Sequence, residues 1–324
     1  MGNISLKPLA FESLGARSMA SLIETPDVRI LIDPGVSLGM RFGLLPHPKE
    51  YRVRTELRSL LLEASIKADV VTISHYHHDH YTPNYTESVL IGSSPEEAGR
   101  LIQDKTLLVK DYRTYVNPSQ RRRGWLFHRF AEKHAKNILV ADRGEFHFGA
   151  TRLKFSQPVF HGERGSSLGW VIMLTVTHGD EKVTHASDVQ GPMDEATLDA
   201  ILQEKPDLLL VGGPPLYLSG SMVKEELINR GRENLMKLSE KVPTSILDHH
   251  LLRSPDWKTF VDPVLRRARS KGNIAQSAAN YNGLSERLLE CRRRDLYREE
   301  PPSSEFMAWT RLPDDRRRLE PPPV

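Results

Sequence analysis

Ser74-His75-Tyr76-His77-His78-Asp79-His80 decides how the rest of this chain is read. Residues 68–73, immediately before it, are apolar and β-branched and carry no helix start signal, which predicts a buried strand that delivers the histidines at its end. In extended backbone alternate side chains share a face. His75, His77 and Asp79 then point one way and Tyr76 and His78 the other, while the turn before Pro83 brings His80 round. Imidazole nitrogens and a carboxylate at this density are donors for zinc and other divalent first-row ions, and no thiolate is needed. A polar loop whose histidines cap neighbouring backbone is the bland alternative, and the number of ligating groups favours the metal.

Working outward, residues 14–33 read as a hairpin with its turn at Thr25-Pro26-Asp27 and with Asp33 closing the second strand. Residues 54–67 carry leucines at helical spacing. Residues 84–143 read as a helical insert, with an amphipathic helix from 118 to about 137 whose face of Phe127, Phe130, Ala131, His134 and Ile138 opposes Arg122, Arg129, Lys133 and Lys136. That basic face is expected to be solvated, with a nucleic-acid contact as the rival reading. Further on, separate strands end at His161, at Ser187-Asp188, at Gly212-Gly213 and at Asp248-His249-His250. Strand ends on one edge of neighbouring sheets converge on a cleft, so these groups are expected to meet.

The chain has 324 residues, 39% hydrophobic and 27% charged, which fits a folded chain with a large core. Its net charge of +3 gives no electrostatic argument for nucleic acid. The one cysteine, Cys291, excludes an intrachain disulfide framework and a thiolate metal site. No apolar stretch approaches the ~20 residues of a membrane span, and a cytoplasmic location without membrane contact is expected. Residues 1–290 are taken as one domain. Residues 291–324, rich in Arg and Pro, are taken as a tail that is poorly ordered or docked on a partner subunit, which makes a homo-oligomer the expected assembly.

The pattern His75-x-His77-x-Asp79-His80, then His161, Asp188 after Ser187, and His249 resembles the metallo-β-lactamase superfamily. It is more similar still to an archaeal family of largely uncharacterised hydrolases of that superfamily. The similarity rests on Ser13-Leu-Gly-Ala-Arg-Ser-Met19, Ile30-Leu-Ile-Asp-Pro-Gly35, the histidine run, Asn117-Pro-Ser-Gln120, Ser187-Asp-Val-Gln-Gly-Pro192, Gly212-Gly-Pro-Pro-Leu-Tyr217 and Asp248-His-His-Leu-Leu-Arg253. It covers about residues 8–290.

The resemblance implies a four-layer αββα sandwich of the α/β class and two divalent metal ions, zinc first with iron or manganese as alternatives. His75, His77 and His161 would hold one ion and Asp79, His80 and His249 the other, with Asp188 bridging. Asp33 would orient the histidine loop through hydrogen bonds. Strand alternation lets only one of His249 and His250 point inward, so His249 is taken as the ligand and His250 as its alternate or a proton donor. Asp79, His250 and Arg253 are the candidate catalytic groups, and Arg17, Ser119, Gln120 and Tyr217 the candidate substrate contacts. Asp188 stands where many true β-lactamases have a cysteine, so the chain looks more like the superfamily's esterases, lactonases and phosphodiesterases. The expected function is hydrolysis of a small ester by a hydroxide shared between two metals, phosphodiesters or phosphotriesters ahead of lactones. A metal-dependent nuclease and a non-catalytic scaffold that keeps the fold are the rivals.

Overall fold

The computed structural model describes residues 2–324. Two mixed sheets lie face to face. The first has β1 (Ser5–Phe11), β2 (Met19–Glu24), β3 (Arg29–Ile32), β4 (Val70–Ile73), β5 (Thr106–Val109) and β6 (Asn137–Val140), in that spatial order. β1 to β3 form an antiparallel meander, and β3 to β6 run parallel. Parallel neighbours need crossovers. They are α1 (Pro48–Lys67), α2 (Pro95–Ile102) and α3 (Pro118–Ala131). Each of the three starts with proline behind a side-chain cap, from His47, Ser94 and Asn117 respectively, which satisfies amide groups that the helix leaves free.

The second half supplies β7 (Glu145–Phe148), β8 (Thr151–Phe155), the short ribbon β9 (Val159–Phe160) and β10 (Trp170–Val171), then β11 (Leu174–His178), β12 (Glu181–His185), β13 (Leu208–Gly212), β14 (Thr244–Asp248) and β15 (Ile274–Gln276). Leaving out the ribbon, these make a seven-stranded sheet in the order β15-β14-β13-β12-β11-β8-β7. Its parallel strands are crossed over by α4 (Glu195–Glu204), α5 (Glu225–Lys241) and α6 (Trp257–Ser270). β4, all of it buried, and β13 read as continuous apolar runs because helices cover one face and the other sheet covers the other. One apolar cluster includes residues from both sheets and α1, and a second packs the outer face of the second sheet against α4, α5 and α6. This is the αββα sandwich.

Two sequence expectations are corrected here. Residues 84–143 are not a helical insert, because they contribute β5 and β6, which extend the first sheet beyond β4. The helix ends at Ala131, and Ile138 belongs to β6. Arg121, Arg122 and Arg129 on that helix are exposed. Residues 291–324 are also more than a loose tail. After α7 (Ala278–Tyr281), the chain forms α8 (Arg293–Glu299), α9 (Ser304–Trp309) and α10 (Asp314–Leu319). Phe306 and Trp309 bury against Tyr51 of α1, with ring centroids 5.9 and 5.8 Å away. Arg293 is fully buried and forks onto Glu50 at 2.8 and 2.7 Å. The segment docks on its own chain through aromatic burial and a buried ion pair. No described helix is long and apolar enough to cross a membrane.

Candidate metal centre

β4 ends one residue before the histidine run, and the chain then folds into a tight turn, with the His80 amide donating to the His77 carbonyl at 2.9 Å. His75 and His80 become fully buried. His161 follows β9, Asp188 follows β12, and His249 opens a helical turn directly after β14. Strand ends of both sheets thus meet, as the sequence predicts. The ligand atoms of His75, His77 and His161 lie within 4.8 Å of one another, as do those of Asp79, His80 and His249. Between the two groups lies Asp188. Its Oδ2 is 2.9 Å from His161 Nε2, 3.2 Å from His249 Nε2 and 3.0 Å from His250 Nε2.

The far nitrogens of His75, His80, His161 and His249 are occupied. Asp33 accepts from the Ser74 amide at 2.7 Å, from Ser74 Oγ at 2.5 Å and from His80 Nδ1 at 2.8 Å. With its proton given to Asp33, Ser74 Oγ is an acceptor for His75 Nδ1 at 3.0 Å and for the Ser187 hydroxyl at 2.7 Å. Glu12 Oε2 accepts from His249 Nδ1 at 2.8 Å, and the Gln190 amide meets His161 Nδ1 at 3.3 Å. By giving their Nδ1 protons to these oxygens, His75, His80 and His249 turn their Nε2 lone pairs inward, whereas the Gln190 amide donates to His161 Nδ1. Nε2 of His75, His80 and His161, together with Asp188 Oδ1, are buried and have no hydrogen-bond partner. Buried polar atoms are nearly always satisfied, so these orphans, three nitrogens of the two ligand groups and one oxygen of the carboxylate between them, are what a site for divalent cations leaves. The donor set, all nitrogen and oxygen, fits such ions.

Strand alternation misjudges His249 and His250. His249 takes a left-handed backbone, φ +65°, and the chain leaves the strand there, so both imidazoles reach Asp188. Their protons differ. His250 Nδ1 faces Arg253 Nη1 at 3.1 Å and the Tyr217 hydroxyl at 3.0 Å. A guanidinium only donates, so this Nδ1 accepts and the neutral ring keeps its proton on Nε2, towards Asp188. Asp33, Ser187 and Gln190 also have positive φ, of 48°, 58° and 54°. Such non-glycine backbone costs about 1–3 kcal/mol each and concentrates at working sites. Gly35 is required for another reason: a Cβ there would stand 2.2 Å from the Tyr81 nitrogen and 2.6 Å from His80 backbone.

Burial by itself would raise Asp79 and Asp188, but the surrounding imidazoles, with Arg253 acting on Asp79, hold both well below the usual carboxylate range. Burial and neighbouring imidazoles push His75 and His77 well down. Burial and Arg253 bring His250 down to about 4. Burial would lower His249 as well, yet Glu12 and Asp188 hold it well above its ordinary value.

Glu12 escapes the sequence reading, and Gln190 and Asp248 stand in quoted motifs without a role assigned to them. Asp248 accepts from the Ser13 amide at 3.1 Å, the His249 amide at 2.8 Å and the Ala278 amide at 3.0 Å, and burial pushes it up to about 6. The signal for Glu12 is an acid that directly follows the apolar run Leu9-Ala10-Phe11. It also accepts from Arg253 Nε at 2.5 Å. Arg253 lies 3.6 Å from Asp79. Among the expected substrate contacts, Tyr217 bonds His250, and Gln120 approaches His77 Nε2 at 3.5 Å. Ser119 is exposed on the first turn of α3, and Arg17 is clamped by Glu290 at 2.7 Å. His178 and His185 are structural, bonding Thr151 and the Met19 carbonyl at 2.9 Å each.

A family model described as a β-lactamase superfamily domain matches residues 15–230. A UPF0282 protein of Methanopyrus kandleri is 43% identical over 294 residues, covering 90% of this chain and 99% of the relative. One from Pyrobaculum neutrophilum is 40% identical over 300 residues, covering 92% and 96%. Among solved structures, CmlA, a diiron β-hydroxylase from Streptomyces venezuelae, matches with a TM-score of 0.50 at 14% identity. The match covers 85% of this chain and 52% of CmlA, so the chain spans about half of that protein, and the likeness concerns the fold. Matched over more than half its length by the domain model and along most of it by these archaeal relatives, the chain belongs to the β-lactamase superfamily and, within it, to the UPF0282 proteins.

Proposed function

We propose that this protein is a dinuclear metal-dependent hydrolase of small esters, with phosphodiesters or phosphotriesters ahead of lactones. The observation that carries this reading is Asp188 placed between two groups of ligands, with buried Nε2 atoms of His75, His80 and His161 that lack hydrogen-bond partners. His75, His77 and His161 would hold one divalent ion, and Asp79, His80 and His249 the other, with Asp188 between them. Two such ions supply an acidified water as nucleophile and a Lewis acid for developing oxyanion charge. Zinc, iron and manganese all suit these donors. The diiron chemistry of CmlA keeps iron in the set.

The chain's own groups do the rest. Asp79, held ionised and 16% exposed, accepts and orients the proton of the attacking water. His250, with 13% of its side chain exposed, presents its Nε2 proton to the oxygen on which charge builds, and Arg253 and Tyr217 fix that tautomer from behind. His249 gives its Nδ1 proton to Glu12 and so turns Nε2 to the ion. This division of labour supports His249 as ligand and His250 as proton holder.

The test is metal content by mass spectrometry, with hydrolysis of bis-nitrophenyl phosphate, a phosphotriester and a lactone, on wild type and Asp188→Ala. Near two metals per chain and cleavage of one substrate class by wild type alone is expected. Less than one metal and no turnover on any ester would overturn the reading.

A further inference from the structure

Behind the centre, three arginines pair with carboxylates. Arg253 pairs with Glu12, Arg17 with Glu290 at 2.7 Å and Arg293 with Glu50 at 2.7 Å. Arg41, in the loop after β3, is the exception. Among the described residues no carboxylate lies within 4.0 Å of it. Its Nε is buried without a hydrogen-bond partner, and its Nη2 makes one long contact, 3.5 Å to the Arg253 carbonyl. What holds it is aromatic. The guanidinium stacks 4.3 Å over the Tyr217 ring and 5.0 Å from Phe42. Phe42 carries a second guanidinium, exposed Arg294, at 4.5 Å, and this too lacks a carboxylate among the described residues.

Stacking takes the faces of a guanidinium and leaves its N–H edge free, and a flat edge of donors is what an oxyanion accepts from in two places. A buried donor without an acceptor is unfavourable, and a second guanidinium without a carboxylate on the same Phe42 ring adds positive charge, so the arrangement calls for an anion. The place is specific. The Tyr217 hydroxyl bonds His250 Nδ1 at 3.0 Å, and His250 Nε2 meets Asp188 at 3.0 Å, so Arg41 stands one aromatic residue away from the proposed ester-cleaving groups.

We infer that Arg41 and Arg294, seated on Tyr217 and Phe42, form an anion subsite at the rim of the metal centre that takes a phosphate group of the substrate other than the bond being cut. A phosphate, with more oxygens and more charge than a carboxylate, suits two guanidiniums better. The inference rests on the hydrolase reading for its substrate and on the protein's own residues for its geometry. It narrows the substrates to esters that carry a second, phosphorylated end.

The experiment is calorimetric titration of inorganic phosphate into the full chain, as wild type, R41Q, R294Q and D188A, with melting temperatures to check each fold. Saturable binding by wild type is expected, weakened at least about 10-fold in R41Q and several-fold in R294Q, and retained in D188A. Wild type is further expected to prefer a diester with a terminal phosphate over bis-nitrophenyl phosphate, and R41Q to lose that preference. No saturable binding, unchanged affinity in both arginine variants, or affinity lost only in D188A would overturn the subsite. Should wild type cleave no ester at all, the hydrolase reading fails while the titration still decides the subsite.

Discussion

Glu12 serves two partners with its two oxygens, fixing the His249 ring with one and holding the Arg253 guanidinium with the other. Glu12→Gln keeps the shape and removes the charge, so metal affinity is expected to fall about 10- to 100-fold, measured by competition with a chelator. Arg253 would be left buried beside an amide, at a cost of roughly 3–5 kcal/mol, visible in denaturant unfolding. Glu290 shows the same logic outside the centre. Burial would raise it, but Arg17, helped by Arg253 and Arg293, holds it down to about 2. A carboxylate whose folded value is depressed stabilises the fold above its unfolded value and loses that contribution as pH falls through the folded one. The stability advantage of wild type over Glu290→Gln, on the order of 2 kcal/mol near neutrality, is therefore expected to vanish between about pH 4.5 and 2. At this scale the legible residues were those whose chemistry is dense in sequence, the run from His75 to His80 above all. Glu12 was silent because its partner lies far along the chain, 237 residues away at His249.

Among the elements, α9 is the plainest case of a segment that composition misrepresents. Arginines and prolines surround it, yet Phe306 is fully buried and stacks with Tyr51 and Trp309. Phe306→Ala is expected to cost about 3–5 kcal/mol and lower the melting temperature by several degrees, with metal content unchanged. β5 and β6 were missed for a related reason. Each is four residues long, and an apolar run that short does not separate a strand from buried helix. β4 and β14 were legible because each runs into chemistry-bearing residues at its end.

Across the whole molecule, the centre is built from both sheets. β3 and β4 bring Asp33 and the histidine run, while β12 and β14 bring Asp188 and His249. Ions that bind such a site stabilise only the folded chain. Chelator treatment is expected to lower the melting temperature of wild type by several degrees and to leave Asp188→Ala unmoved, as read by differential scanning calorimetry. The order of residues has its own effect during synthesis. Glu50 leaves the ribosome 243 residues before Arg293, the partner that completes its burial, and the Ser13 carbonyl waits longer still for the Arg287 amide. A nascent chain stopped short of Arg287 thus carries an exposed carboxylate where the finished protein has core, and the Tyr51 face of α1 stays uncovered until the last helices arrive.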